Sequence, residues 1–230
     1  MKNYYENKVA IVTGGASGLG KALAEALSGL GARVIIADLD VSGAKEAASH
    51  INRNGGIASV YQADVSQKKQ MENLVDDTVQ EYGRIDFLFN NAGLAINGEF
   101  QDMGLEHWEK LTNVNYWGVV YGCYYAYPVM KKQGFGHIVN TASLAGLIPG
   151  GLIAPYSATK YAVAGLSLTL RAEGKQYGIR VSALCPGFLN TTIHEKSPNL
   201  TGYLDVLRKK QMVGGKNWPA PEKVAPAILR

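Results

Sequence analysis

The sequence predicts an α/β domain built on a doubly wound parallel sheet. Three observations carry this reading. Short apolar runs and longer segments of helical spacing alternate six times along the chain, the pattern of parallel strands joined by right-handed crossovers. Several of the short runs are continuously apolar rather than alternating, as strands are when helices cover both sheet faces. A chain of 230 residues suits one large core better than two, and no linker, repeat or low-complexity tract divides it before about Pro198. The domain is therefore read as 1–230.

The elements follow in order. Residues 9–12 are a β-branched run ending in Thr13-Gly14. Residues 19–30 place Ala22, Leu23, Ala26, Leu27 and Leu30 on one side of a helix that Gly31 stops. A second strand, 34–37, closes at Asp38, and a helix over 42–54 ends at Gly55-Gly56. Residues 58–63 form a third strand ahead of Asp64; the helix over 66–82 takes Ser66 as its N-cap and Gly83 as its stop. The fourth strand, 85–89, runs into Asn90-Asn91-Ala92-Gly93. A long helix over 105–132, kinked near Pro128, precedes the fifth strand at 137–141. A helix over 156–177, a sixth strand at 179–184 stopped by Pro186-Gly187, and a last helix over 222–229 complete the chain. Between them, 188–220 is irregular, interrupted by Gly202, Gly214 and Gly215, and reads as a loop and helix segment covering a substrate.

Composition excludes several classes. Apolar residues make up 47% and charged residues 18%, as in an ordinary soluble domain. The net charge of +4 is scattered, and the longest basic run, Arg208-Lys209-Lys210, suits a solvated helix face, so no nucleic acid is expected. Cys123 and Cys185 lie outside any C-x-x-C pair, which points to reduced thiols in the cytoplasm. His50, His107, His137 and His194 lack metal-ligand spacing, so no metal is expected. No run could span a bilayer and the N-terminus carries no export signal, so no membrane association is expected and the N-x-T sequons at Asn190 and Asn199 are chance.

Three groups of residues carry chemistry. Thr13-Gly14-Gly15-Ala16-Ser17-Gly18-Leu19-Gly20 joins the first strand to the first helix. A helix N-terminus with free N–H groups suits a pyrophosphate, and glycines admit the sharp turn and the close approach. Asp38 follows Gly20 by 18 residues, where a carboxylate can accept from ribose hydroxyls and repel a 2′-phosphate. Tyr156-Ser157-Ala158-Thr159-Lys160 sets Tyr and Lys four apart on one helix face. Bringing a phenol from a pKa of about 10 to about 7 takes roughly 4 kcal/mol. An ammonium ~5 Å away supplies roughly 3 kcal/mol at an effective dielectric of about 20. Y-x-x-x-K alone arises often by chance. Ser143, ending the fifth strand 13 residues earlier, changes the odds, since its hydroxyl could hold a substrate oxygen.

These motifs resemble those of the classical short-chain dehydrogenase/reductase family: T-G-x-x-x-G-x-G at Thr13–Gly20, N-N-A-G at Asn90–Gly93, V-N-x-x-G at Val114–Gly118, Ser143, Y-x-x-x-K at Tyr156–Lys160, and P-G-x-x-x-T at Pro186–Thr191. The match spans about Lys8 to Thr191 in the family's order. It implies a Rossmann-like sheet in the order 3-2-1-4-5-6; this chain stops at Arg230, so the family's seventh strand is expected to be either absent or cut off from it. It implies a cofactor held by Gly14, Ser17, Gly18, Leu19, Gly20, Asp38, Asp64, Val65, Asn91, Ala92, Gly93, Tyr156, Lys160, Pro186, Gly187 and Thr191. Asp64-Val65 would lie along the adenine, Asn90 would be structural, and Thr191 would meet the carboxamide. No Arg or Lys follows Asp38, and Ser17 stands where NADP-using relatives often carry a basic residue, so NAD(H) is expected over NADP(H). Catalysis would rest on Ser143, Tyr156, Lys160 and, through its backbone carbonyl and a water, Asn115; the choice of Asn115 over Asn113 comes from the family match.

The expected function is a metal-free interconversion of a secondary alcohol and a ketone. Residues 94–96, 145–152 and those after Phe188 would wall the substrate, and Leu147, Ile148, Leu152, Ile153 and Phe188 favour an apolar body of small to medium size. His194, Tyr203 and Trp218 sit in the covering segment. No Arg stands ready to clamp a carboxylate, which argues against small hydroxy acids. Trp108, Tyr116, Trp117, Tyr121, Tyr124, Tyr125 and Tyr127 exceed what one buried stripe needs. The resemblance implies a homodimer or homotetramer through that helix; a monomer with snorkelling tyrosines is the rival. The alternative from another class is an idle NAD(H)-binding regulator or scaffold, against which the intact Asn115, Ser143, Tyr156 and Lys160 speak.

Overall fold

Six strands, all parallel, form one sheet in a computed structural model that describes residues 2–191, 193, 198, 200 and 218–229. In chain order the elements are α1 (Lys2–Tyr5), β1 (Val9–Thr13), α2 (Gly18–Gly29), β2 (Arg33–Asp38), α3 (Val41–Arg53), β3 (Ile57–Gln62), α4 (Lys68–Tyr82) and β4 (Phe87–Asn90). There follow α5 (Leu105–Thr112), α6 (Gly118–Gln133), β5 (Gly136–Thr141), α7 (Ala154–Gly174), β6 (Ile179–Leu184) and α8 (Pro221–Ile228). The strand order is β3-β2-β1-β4-β5-β6, as expected.

The apolar runs acquire their meaning from the pleat. Successive side chains of a strand point to opposite faces, so Ala10 and Val12 of β1 enter one core while Val9 and Ile11 enter the other. The first core lies under α2, α3 and α8 and includes Leu23, Leu27, Ala44, Ile51 and Ala225. The second lies under α4, α6 and α7 and includes Met71, Leu74, Val119, Ala126, Met130 and Val163. All five residues of β1 are buried, which is why the run could not alternate.

Three expectations needed correction. Ser66 does not cap α4: its hydroxyl donates to Asp64 Oδ1 at 2.7 Å, and the helix starts two residues later at Lys68. The single helix over 105–132 is α5 and α6 joined by a wider π-type turn, Asn113–Trp117, where Gly118 N–H bonds the Asn113 carbonyl five residues back. The helix expected over 156–177 begins at Ala154, with Pro155 in its first turn, and passes at Gly174 into a 3-10 turn, Lys175–Tyr177. Among the described residues no helix is long and apolar enough to cross a membrane. His194, Gly202, Tyr203, Gly214 and Gly215, with most of the 188–220 segment and the basic run Arg208–Lys210, lie outside the described residues.

Candidate active site

The chain leaves β1 toward β2 on one side of the sheet and reaches β4 on the other, so the carboxyl ends of β1 and β4 flank the crevice where open α/β sheets bind ligands. A cavity of about 830 Å³ opens there. Every residue expected in the site lines it except Gly20 and Asn115.

The turn between β1 and α2 is shaped by backbone contact. Gly14 has φ +65°, and a Cβ there would lie 2.7 Å from Ala92 Cα, so only glycine serves. Gly20 is not a lining residue. It is buried, and a Cβ on it would collide with the Gly14 carbonyl oxygen and come within 2.6 Å of Asn91 Nδ2. Its role is to let α2 pack directly beneath the turn. Ser17 occupies the N-cap of α2 without a side-chain cap bond, leaving first-turn N–H groups available to an anion.

Thr13 fixes the opposite wall. Its hydroxyl donates to the Phe89 carbonyl at 3.3 Å and accepts from the N–H groups of Asn91 and Ala92 at 3.0 and 3.1 Å. Asn91 Nδ2 returns two bonds, to the carbonyls of Thr13 and Gly14 at 3.2 and 3.3 Å. Asn90 faces the other way, donating to Asn140 Oδ1 at 2.9 Å in the buried sheet interior. The anchoring by Thr13 has a signal in the sequence, the threonine that opens the glycine motif.

Asp38 closes β2 beside this turn. Oδ2 accepts from Ala16 N–H and Oδ1 from Asp40 N–H, each at 2.9 Å, and each oxygen keeps further acceptor capacity for a hydroxyl. Leu39, 65% exposed, lines the cavity next to it, where a cation would be needed to welcome a 2′-phosphate. Asp64 Oδ1 is taken by the Ser66 N–H and hydroxyl, and Val65 packs so tightly on α6 that a Cβ on Gly118 would come within 2.8 Å of it. The glycine turn, the carboxylate and the Asn91–Gly93 loop form a cradle whose donors and acceptors fit a dinucleotide.

Tyr156 and Lys160 project from the first turns of α7 into the same cavity, with Nζ 5.6 Å from the ring centroid. Lys160 is 4% exposed, and Nζ donates to the Thr141 carbonyl at 2.8 Å. Burial pulls the ammonium down to a pKa of about 8, with the nearby Cys185 thiol acting weakly the other way. Burial also pushes the Tyr156 phenol above its ordinary value, and the neighbouring Ser143 hydroxyl draws it back. Ser143 ends the strand region of β5; its oxygen accepts from Ala145 N–H at 3.2 Å at the head of a short 3-10 turn, Leu144–Gly146.

Asn115 sits in the π-type turn, fully buried, a geometry often found at functional sites. Its side chain clamps the loop after β4: Oδ1 accepts from Leu94 N–H and Nδ2 donates to the Leu94 carbonyl, both at 2.9 Å. Nδ2 also reaches Thr159 Oγ1 at 3.4 Å, next to Lys160. A Cβ on Gly93 would lie 3.3 Å from Asn115 Oδ1 and 3.6 Å from Lys160 Nζ. The side chain therefore positions; it does not face the cavity.

The other half of the cavity is apolar. Leu94, Ile96, Ala145, Ile148 and Leu152 line it, but Leu147, 55% exposed, does not, because the turn after Ser143 carries it outward. Phe188 stacks on Trp218 with ring centroids 4.7 Å apart, and Phe188 forms part of the wall. Sequence reasoning missed Asn97, Lys110 and Thr141, which also line it. Among the described residues no cluster of His, Cys, Asp and Glu is placed to hold a metal.

Comparison with known proteins agrees with this geometry. The family model for short chain dehydrogenases matches residues 8–200. The chain is 34% identical over 195 residues to a cyclohexanol dehydrogenase of Acinetobacter sp., covering 84% of this chain and 77% of the relative. It is 37% identical over 198 residues to a 2,5-dichloro-2,5-cyclohexadiene-1,4-diol dehydrogenase of Sphingobium indicum, covering 86% and 79%. A short chain dehydrogenase/reductase from Burkholderia phymatum, solved in complex with NAD, superposes with a TM-score of 0.91 at 30% identity, covering 98% of this chain and 85% of that one.

Proposed function

Since the chain belongs to the classical short-chain dehydrogenase/reductase family and is an oxidoreductase of that type, we propose that it interconverts a secondary alcohol and a ketone with NAD(H), through Ser143, Tyr156, Lys160 and Asn115. The observation that carries this reading is the convergence of Tyr156, Lys160 and Ser143 on one cavity beside the glycine turn.

The cradle of Gly14, Ser17, Gly18, Leu19, Asp38, Asp64, Val65 and Asn91–Gly93 would hold the adenosine and pyrophosphate, and Pro186, Gly187 and Thr191 the carboxamide end. Bound there, nicotinamide supplies the hydride acceptor for the carbinol carbon, or the donor for the ketone. Ser143 Oγ holds the substrate oxygen. Tyr156 takes the hydroxyl proton in oxidation and returns it in reduction. With its pKa raised by burial, the resting phenol is ready as the acid; service as the base requires the Lys160 ammonium and a second positive charge nearby to favour phenolate. Lys160 is held for this by the Thr141 carbonyl. Asn115 fixes the loop after β4 against α7, and its turn is where a carbonyl can hold a relay water.

The apolar walls and the names of the two relatives, a cyclohexanol and a cyclohexadienediol dehydrogenase, support a small to medium apolar substrate. Trp117, Tyr124, Tyr161 and Leu168, all more than 40% exposed on α7, α6 and the turn before α6, support a homodimer or homotetramer built on those helices. The unpaired Cys123 and Cys185 suit the cytoplasm. A carboxylate at Asp38 facing a 2′-phosphate costs several kcal/mol, so NAD should exceed NADP in kcat/KM by roughly a hundredfold or more. Steady-state assays with both cofactors over a panel of cyclic alcohols and ketones test the reading. Equal efficiency with NADP would overturn the role of Asp38, and no turnover with either would overturn the activity.

A further inference from the structure

Asn97 is a buried amide with no structural work to do. It is 6% exposed and lines the cavity, in the loop after β4. Its Nδ2 is enclosed without a hydrogen-bond partner among the described residues, whereas Oδ1, the other end of the amide, is not enclosed and accepts no hydrogen bond from a described residue. Its backbone, in contrast, is satisfied: N–H donates to the Pro198 carbonyl at 3.1 Å, and the carbonyl accepts from Leu200 N–H at 3.0 Å. Gly98 N–H, next along, donates to the Leu152 carbonyl at 2.9 Å. Three segments of the substrate half thus meet at this residue through main chain alone, and the side chain is not needed to join them.

A buried polar group left unpaired costs free energy, and native structures hold few of them. The apolar residues that line the same cavity, Leu94, Ile96, Ile148 and Leu152, offer no side-chain partner. An apolar residue of the same size would cost less there unless the amide meets something in the cavity. A half-turn about Cβ–Cγ exchanges the donor and acceptor ends, so the group can serve a hydroxyl or a carbonyl oxygen.

We propose that Asn97 is a specificity residue that binds a second oxygen of the substrate, and that the preferred substrates are dioxygenated apolar compounds, diols or hydroxyketones, rather than simple alcohols. This rests on the oxidoreductase reading above: Ser143 and Tyr156 take the reacting oxygen, and Asn97 takes the other. A site that hydrogen-bonds a substrate hydroxyl rejects the analogue lacking it, because the buried partner is then stranded.

The test compares cyclohexanol with cyclohexane-1,2-, 1,3- and 1,4-diol, by kcat/KM and by calorimetric binding to the NAD-saturated protein. At least one diol should exceed cyclohexanol by tenfold or more in wild type. Asn97→Leu, which keeps the branched shape without the polar atoms, should bring that ratio near one, and Asn97→Ser should leave an intermediate ratio. Melting curves identify any variant that fails to fold, and the wild-type ratio stands without it. Cyclohexanol bound and turned over as well as every diol would overturn the proposal, as would a diol preference that Asn97→Leu leaves intact. A diol preference in binding, lost in Asn97→Leu but without any turnover, would support the role of Asn97 and count against the redox activity alone.

Discussion

The two ends of β5 hold two bases, one half-buried and one buried, with opposite fates. At its start His137 lies against the Phe87 ring, centroids 6.1 Å apart, with its Nε2 2.9 Å from Ser182 Oγ on β6. At its finish the Thr141 carbonyl holds the Lys160 ammonium. Burial is the main cause of the shift in both: it takes the imidazole from 6.5 to about 4, with Arg180 adding to the effect, and the ammonium from 10.5 to about 8. At neutral pH the histidine is consequently neutral and the lysine charged. One lies against the Phe87 ring of β4, away from the cavity; the other lines the cavity beside Tyr156. A perturbed pKa therefore marks burial, and only the cavity and the neighbouring hydroxyls mark a site.

The largest expected effect lies at the finish of the strand. Tyr156→Phe removes the hydroxyl proposed to carry the proton but keeps the ring. Turnover should fall by about a thousandfold, within the range for losing a general acid–base, while NADH binding followed by fluorescence stays close to wild type. Substituting His137 by Gln should leave turnover intact. A variant at 156 that still turns over, or one at 137 that does not, would break the division between the two ends.

The second effect sharpens the comparison through pH. His137 has a folded pKa of about 4 against 6.5 for the unfolded chain. Between these values the unfolded chain binds the proton first, so stability is full above pH 6.5 and is lost as pH falls toward 4. The loss amounts to about 3 kcal/mol, to order of magnitude. Lys160 has the opposite window: its folded pKa of about 8 lies below 10.5, so the cost of burying its charge is full below pH 8 and is relieved as pH rises from there to 10.5. Urea denaturation at pH 7 and pH 4.5 should show His137→Gln less acid-sensitive than wild type; identical pH dependence would remove histidine as the cause.

How legible each end was in the sequence follows from the same contrast. The finish of the strands was readable because its demands are local: Gly14 needs a positive φ, Asp38 must close β2, and Tyr156 and Lys160 need only a helical spacing of four. Strand order came with the family resemblance, and the apolar runs followed from two covered faces. What escaped depended on tertiary contact. Gly20 has the glycine spacing of its neighbours but packs against the Gly14 carbonyl rather than the cavity. The π-type turn at Asn113–Trp117 adds a residue to a helical turn without breaking the hydrophobic pattern. Asn97 has no motif at all; its meaning appears only when its backbone pairs with Pro198 and Leu200 and leaves the amide idle. The start of β5 was silent for the same reason, since His137 looks like any strand residue until Phe87 and Ser182 surround it.

The smallest effect tests how the quiet end is held. Tyr5, 6% exposed, donates its hydroxyl to the Leu229 carbonyl at 3.0 Å, joining α1 to the residue after α8 across the first core. Its ring lies 5.0 Å from that of Phe87, and burial together with Tyr4 pushes the phenol to about 12, so it remains a donor across the working pH range. Tyr5→Phe keeps the ring packing and deletes one buried hydrogen bond. That should cost about 1 kcal/mol, which for a domain of this size lowers Tm by roughly 2–4 °C. Turnover should not change, because the Tyr156 phenol to which the reaction is assigned in the proposal lies at the opposite, carboxyl ends of the strands. An unchanged Tm would mean that the ring contacts alone hold α1 and α8 together. A fall in turnover at unchanged Tm would mean that the two strand ends communicate, and the strands could no longer be treated as an inert spacer between them.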